Sequence, residues 1–330
     1  MIGNKPTALS ISLYAELITD TVWAEQRKNY GYSDLINFPL MINLGGSPYI
    51  DLRVDFNSFI PQKINSLIKS KSVNFYLKKI KKNKDFHDKV EFNIIETCKD
   101  LDTKKKLREF LNKNQTIEYS KELIRLTNNI LNKKVGNFKD EINKINELDN
   151  YINFIKLSNL SHIHKIYYLV SHCKKLGTLP FAGLARSAFI VTKLLRSLVK
   201  SKILTNIELE EFYSSINTVT NKINYQISSI RNPADKKKFL LNYGHLRPST
   251  YSITSKNYKE NFKNYFPLNS TKIKRKKKMF KISKSKKNKI DNFLKKNRLN
   301  IDYENFISFS KEAIKLREYS KFIFTKSIDE

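Results

Sequence analysis

Glycine is scarce in this 330-residue chain, with eight in all, alongside one Trp, three Met and two Cys. So little glycine argues against the glycine-rich phosphate cradles of nucleotide-binding folds and against a typical α/β enzyme. Cys98 and Cys173 have no metal-ligand spacing and stand in no secretory context. They are expected as buried thiols in a reducing compartment. Met1–Pro6 opens no apolar leader, and no run approaches the roughly 20 apolar residues of a membrane span. The expectation is therefore a cytoplasmic chain with no membrane partner. Acidic residues are also short: 31 against 62 Lys and Arg, a net charge of +31.

A chain of that charge adheres to polyanions at low salt. The basic residues are mostly Lys, and Asn and Ile are common, a mixture that AT-rich coding yields without selection for binding. The charge is read mainly as solvated faces, so nucleic acid is not the expected partner. A basic helical scaffold that binds polyanions without catalysis stays as the alternative. What the chain does contain is 40% hydrophobic and 12% aromatic residues, enough for a sizeable core.

The periodicity predicts a mainly α protein with a small N-terminal β-hairpin or short sheet. Leu9, Leu13, Leu17 and Ile18 set a helix over 7–30, closed by Gly31. A hairpin is expected over 39–56 around Gly45-Gly46-Ser47, its second arm alternating Ile50, Leu52, Val54 and Phe56 against Asp51, Arg53 and Asp55. Helices are expected over 62–81, 87–112, 116–134, 138–171, 186–200 and 206–230, with a break at Arg231-Asn232-Pro233. Four regions follow: an opening helix and hairpin over 1–61, a long helical part over 62–270 (the part to which the resemblance described below assigns acceptor binding), a Lys-rich linker over 271–289, and closing helices over 290–330, which that resemblance implies are truncated.

The densest polar chemistry lies in Phe239–Tyr258, FLLNYGHLRPSTYSITSKNY. An apolar helix ends at Tyr243-Gly244, where Gly244 is free to take the positive φ that turns the chain. Pro248 then stiffens a loop bearing His245, Arg247, Thr250 and Tyr251. A His near neutrality suits a general base, and a guanidinium suits a phosphoryl or carboxylate group. The same residues are equally suited to tying a helix end to neighbouring carboxylates. His162 and His164 stand two apart and diverge on a helix, so no metal is expected.

This stretch resembles the phosphoenolpyruvate-synthase-like (PEP-utilising) phosphotransferases, whose middle region carries a similar Tyr-Gly-His-x-Arg-Pro-x-x-Tyr pattern. Met1–Pro61 is similar to the opening of that region, Leu176–Val199 to its central helix and Ala313–Lys326 to its closing helix. The resemblance implies an acceptor-binding part of an ATP-dependent phosphotransferase, working with an ATP-grasp domain and a swivelling phosphohistidine domain, in cis or in trans. It implies His245 and Arg247 as catalytic residues, and Tyr243, Arg186, Thr250, Tyr251 and Arg53 as contacts to a small-molecule acceptor. No cofactor is expected on this chain; ATP and Mg belong to the ATP-grasp partner. Neither an ATP-grasp loop nor a Gly-rich carrier-His segment occurs in the sequence, so activity in isolation is not expected. Arg186 fits an internal salt bridge as well as a pocket, and Arg53 and Asp55 fit pairing across the hairpin.

Overall fold

The computed structural model describes residues 2, 5–87, 89–134, 136–267 and 280–330. It is mainly helical, with one two-stranded antiparallel sheet.

The opening segment is not one helix. α1 (Ala8–Tyr14) runs into a π-helical turn, Ala15–Thr19, and α2 (Val22–Asn29) follows a break. Gly31 closes α2 at φ +85, and a Cβ there would lie 2.6 Å from Leu126 Cδ2, so both conformation and space require glycine. β1 (Met41–Leu44) and β2 (Ser47–Ile50) pair from Met41↔Ile50 to Leu44↔Ser47. Gly45 and Gly46 both take positive φ, as a two-residue primed turn demands.

The second arm of the hairpin is shorter than the alternation predicts. Asp51 Oδ1 accepts from the Arg53 and Val54 N–H groups at 2.8 and 3.1 Å and so caps a helix, α3 (Leu52–Ser58). Helix geometry lets Phe56 bury edge-on against Tyr76, with centroids 6.2 Å apart. Arg53 and Asp55 are thus helical residues and do not pair across a strand.

α4 (Ser66–Lys82) matches its predicted span closely. The predicted 87–112 helix survives only as α5 (Val90–Asn93) and α6 (Thr103–Leu107). Between them, residues 94–100 are irregular yet buried. Buried backbone needs partners, and side chains supply them. Thr127 Oγ1 accepts the Lys99 N–H at 2.8 Å, Thr103 Oγ1 accepts that of Asp100 at 2.8 Å, and Tyr32 OH donates to the Thr97 carbonyl at 2.6 Å.

α7 (Lys113–Leu131) opens with a capping box between Asn112 and Gln115. The predicted 138–171 helix divides into α8 (Phe138–Leu157) and α9 (His162–His172), because Ser161 caps a new start. α9 passes through a second π turn, Cys173–Thr178, into α10 (Leu179–Lys200). The two π turns meet: Thr178 Oγ1 donates to the Leu17 carbonyl at 2.7 Å.

The 206–230 prediction also divides, into α11 (Asn206–Ser214) and α12 (Val219–Ser229), the second capped by Thr218. Asn232 caps α13 (Pro233–Tyr243), with Pro233 at its first turn. A short α14 (Phe262–Tyr265), then α15 (Lys284–Lys296) and α16 (Tyr303–Asp329), complete the chain. Residues 271–279 of the expected Lys-rich linker lie outside the described residues, whereas Lys284–Lys289 begin α15 rather than a connector.

α10 is the axis of the fold, packed on α8, α16 and α2. Leu184, Leu194, Leu195 and Leu198 are fully buried there with Leu148, Phe306 and Phe324. Each such side chain contributes about 1.5–3 kcal/mol by leaving water. A second core joins α3, α4, α6 and α7 through Phe56, Tyr76, Leu107 and Tyr119. A third joins α13 and α14 through Phe239, Tyr243 and Phe262, with Phe322 of α16 against it.

Candidate functional site

The loop after α13 is closed at its neck by two backbone bonds. Lys259 N–H donates to the Gly244 carbonyl at 3.1 Å, and Tyr258 N–H to that of Leu246 at 2.8 Å. Gly244 does not take positive φ. It is right-handed helical, at φ −59 and ψ −29. Glycine is needed there for space: a Cβ would overlap the Leu240 carbonyl and lie 3.3 Å from Lys259 Cβ. Tyr251 anchors the loop by burying its ring edge-on against Tyr14, centroids 5.0 Å apart.

His245 hangs from this neck over α16. Its Nε2 lies 3.2 Å from the Phe322 carbonyl, and its ring meets the Phe322 ring at 4.8 Å. A carbonyl only accepts, so Nε2 carries the proton in the neutral ring. Burial pushes the imidazole pKa down to about 4, against the opposing pull of the Phe322 carbonyl. The neutral ring leaves the Nδ1 lone pair unprotonated at pH 7.

Arg247 turns the other way along the loop. Its Nη2 pairs with Asp329 at the end of α16, and its Nη1 donates to the Ser252 carbonyl at 3.3 Å. Asn257 Nδ2 donates to the same Asp329 carboxylate at 3.2 Å. His245, Arg247 and Thr250 line one hollow of about 250 Å³ with Val219 and Ile223 of α12 and Lys321 of α16. Glu318 also borders it, but its Oε2 accepts the Thr220 N–H at 3.0 Å and so holds α12 to α16.

The other expected acceptor contacts lie elsewhere. Tyr243 is buried among Phe239 and Phe322, and Tyr251 sits under the loop. Arg53 is exposed on α3, with Nη1 donating to Asn74 Oδ1 at 3.4 Å. Arg186 is 2% exposed and grips Glu91 with two bonds, 2.5 Å to Oε2 and 3.1 Å to Oε1. Its guanidinium and that of Arg27 both stand over the Phe59 ring, at 4.7 and 3.7 Å. Asp55 completes this cluster 4.0 Å from Arg27. Burial pushes the Asp55 carboxyl up to about 6, and burial with Arg186 alongside brings Arg27 down to about 10. Burial raises Glu91 too, but Arg186 and Arg27 outweigh it, and the carboxyl stays below its ordinary value.

Sequence reasoning passed over the continuation of this cluster. Lys193 follows Arg186 by seven residues on α10, and Lys200 follows by seven more. Lys193 Nζ lies 3.9 Å from Glu96 and 3.8 Å from Asp100, and Lys200 Nζ lies 2.5 Å from Asp102. One stripe of α10 thus meets the acids of residues 91–102 in register. A seven-residue basic spacing on an otherwise apolar helix was the available signal.

Glu141 was also missed. It is buried on α8, accepts from Tyr30 OH at 2.7 Å, and is pushed up to about 8 by burial despite that bond. A Cβ on Gly183 would overlap its carboxyl. Gln26, Tyr30, Glu141 and Pro180 border a second hollow of about 280 Å³. Among the described residues no group of three or more His, Cys, Asp or Glu is placed to hold a metal. No protein-family model, curated protein or solved structure matches this chain.

Proposed function

We propose that this chain is the acceptor-binding part of an ATP-dependent, phosphoenolpyruvate-synthase-like phosphotransferase, and that the hollow beside His245 receives the acceptor. The observation that carries this reading is the convergence of His245, Arg247, Thr250 and Lys321 on one small hollow.

Phosphoryl transfer asks a protein for positioning and charge neutralisation more than for covalent work. Arg247 is held by Asp329 and the Ser252 carbonyl, so the rest of its five-donor fork has a fixed direction in which to meet an anionic oxygen. Lys321 adds a second cation at the rim. His245, proton on Nε2, presents Nδ1 as the base for an acceptor hydroxyl. An arriving phosphoryl group would raise its basicity by adding negative charge nearby. ATP and Mg serve the ATP-grasp partner, and a swivelling domain delivers the phosphohistidine.

The polyanion-scaffold reading is the weaker one. Many surface lysines are already neutralised locally, as in Lys28–Asp34, Lys133–Glu312, Lys286–Glu208 and Lys287–Glu304. The test is phosphoryl transfer in trans. A phosphorylated swivelling domain should pass its phosphoryl group to a small acceptor only when this chain is present. Arg247→Ala should cut that rate by about a hundredfold, the scale of one lost charge-stabilising donor. Transfer that is absent for every acceptor, or indifferent to Arg247, refutes the reading.

A further inference from the structure

Arginine is the minority cation of this chain, 11 of its 62 basic residues. A bias toward Lys therefore does not account for where the guanidiniums gather. Four of the eleven stand on one connected run of aromatic rings. Arg27 and Arg186 share Phe59, and Arg186 also reaches Phe189, 6.0 Å from its ring centre. Arg317 of α16 lies 5.1 Å from the centre of the same Phe189 ring. Phe189 meets Phe92 of α5 edge-on, with centroids 5.5 Å apart, and Arg196 lies 4.6 Å from the centre of Phe92.

The two ends of this run differ. At the inner end Arg27 and Arg186 face Asp55 and Glu91. At the outer end Arg196 and Arg317 are exposed, and among the described residues neither guanidinium makes an ion pair or a hydrogen bond. Glu318, next to Arg317 in sequence, is held by the Thr220 N–H. Four guanidiniums thus share two carboxylates, and the excess charge stands at the outer end. Stacking fixes the plane of each fork and leaves the N–H donors at its edge unused. A ligand that needs those donors finds them already oriented, which lowers the entropic cost of binding.

We propose that Arg196 and Arg317, set on Phe92 and Phe189 where α5, α10 and α16 meet, form an oxyanion site for the phosphate group of a small molecule. Guanidinium forks match the spacing of phosphate oxygens and pair with them through two parallel hydrogen bonds. The stacked rings do not compete, because a ring takes the face of the cation and a phosphate takes its edge. A compact anion suits the patch better than a nucleic acid, which needs a track of several free cations. Along α10 the free charge stops at Arg196: Lys193 lies between Glu96 and Asp100, and Lys200 is paired with Asp102. Lys321, one turn beyond Arg317 on α16, borders the His245 hollow, so the two anion-seeking regions are neighbours with separate arginines. The inference does not depend on the acceptor-site reading.

The test uses the whole chain, labelled with nitrogen-15 at arginine, and follows the Nε–Hε signals as inorganic phosphate or pyrophosphate is added. Chloride holds the ionic strength constant. Arg196→Lys and Arg317→Lys alter exposed positions and identify the two signals, and their far-UV circular dichroism should match the parent. Both signals should move together and saturate with a midpoint of about 1 mM phosphate or below. Arg317→Lys keeps the charge and loses the fork, and should weaken binding about tenfold. Arg108→Lys, an exposed change at the end of α6, should leave it as in the parent. Shifts that never saturate, or equal affinity in Arg317→Lys, would mean that net charge alone draws the anion, and overturn the proposal. A response confined to Arg247, or phosphate binding lost in Arg247→Ala, gives the anion to the His245 hollow and overturns it too. So does a single-stranded oligonucleotide that moves both signals where phosphate and pyrophosphate do not, which would give the patch to a nucleic acid.

Discussion

At the scale of single residues, buried titratable groups make the sharpest predictions. His245 should stay neutral well below the usual imidazole range, with its proton on Nε2 and a midpoint near 4. Nitrogen-detected NMR of the imidazole ring reads both directly; a midpoint near 6.5 contradicts the burial of the ring. Glu141 predicts a stability change of the opposite slope. Its folded pKa, about 8, lies above its ordinary value of 4.5, so its contribution is complete below about 4.5 and is lost as pH rises through 8. Glu141→Gln should therefore flatten the decline of Tm between pH 5 and 9, an effect of at most about 4 kcal/mol. An unchanged slope removes Glu141 from the account. That His245 and Arg247 share one loop was legible in the sequence, as was the internal salt bridge of Arg186. The glycines were only half legible. Gly31, Gly45 and Gly46 serve positive φ as a turn-reading predicts, whereas Gly177, Gly183 and Gly244 serve close packing, which depends on distant residues.

At the scale of elements, side-chain caps decided most boundaries that periodicity missed. Apolar spacing continues unbroken from α8 into α9 and from α11 into α12, so a periodic reading joins them. Ser161 and Thr218 divide them by offering hydroxyls to the next turn's N–H groups. The alternation Ile50, Leu52, Val54, Phe56 fits a strand and also three residues of a short helix, and Asp51 tips the choice to α3. The buried irregular segment over 94–100 was not legible at all, because its backbone is satisfied by Thr127, Thr103 and Tyr32 from elsewhere. The α10 stripe should be sensitive to loss of one partner. Arg186→Ala leaves Glu91 without its partner and should cost about 3–5 kcal/mol, read by urea unfolding. Arg186→Met with Glu91→Leu should recover much of that loss. A double variant as unstable as the single one would mean that packing of the guanidinium over Phe59, rather than charge, is what the cluster supplies. Gly183→Ala should also destabilise by more than about 2 kcal/mol, since the methyl overlaps the Glu141 carboxyl.

At the scale of the whole molecule, α10 organises the fold and separates two polar regions. One is the ionic stripe facing residues 91–102, buried at Arg186 and Lys193 and open at Lys200, and the other is the open hollow under His245 between α12 and α16. The first is positioned to fix the packing of α10 against α2, α5 and α7. The second is where a ligand has room to enter. The mainly α class and the small hairpin were legible from periodicity and the Gly45-Gly46 turn. Which polar residues share a site was not, because Arg186 and His245 each answer to partners far away in sequence, Glu91 and Phe322. The measurement that bears most directly on the proposed role is transfer from a phosphorylated swivelling domain, mixed with this chain and a panel of small hydroxyl- and enol-bearing acceptors. The account predicts loss of phosphohistidine matched by one phosphorylated acceptor, slowed about a hundredfold by Arg247→Ala. Phosphohistidine that persists unchanged with every acceptor would contradict it.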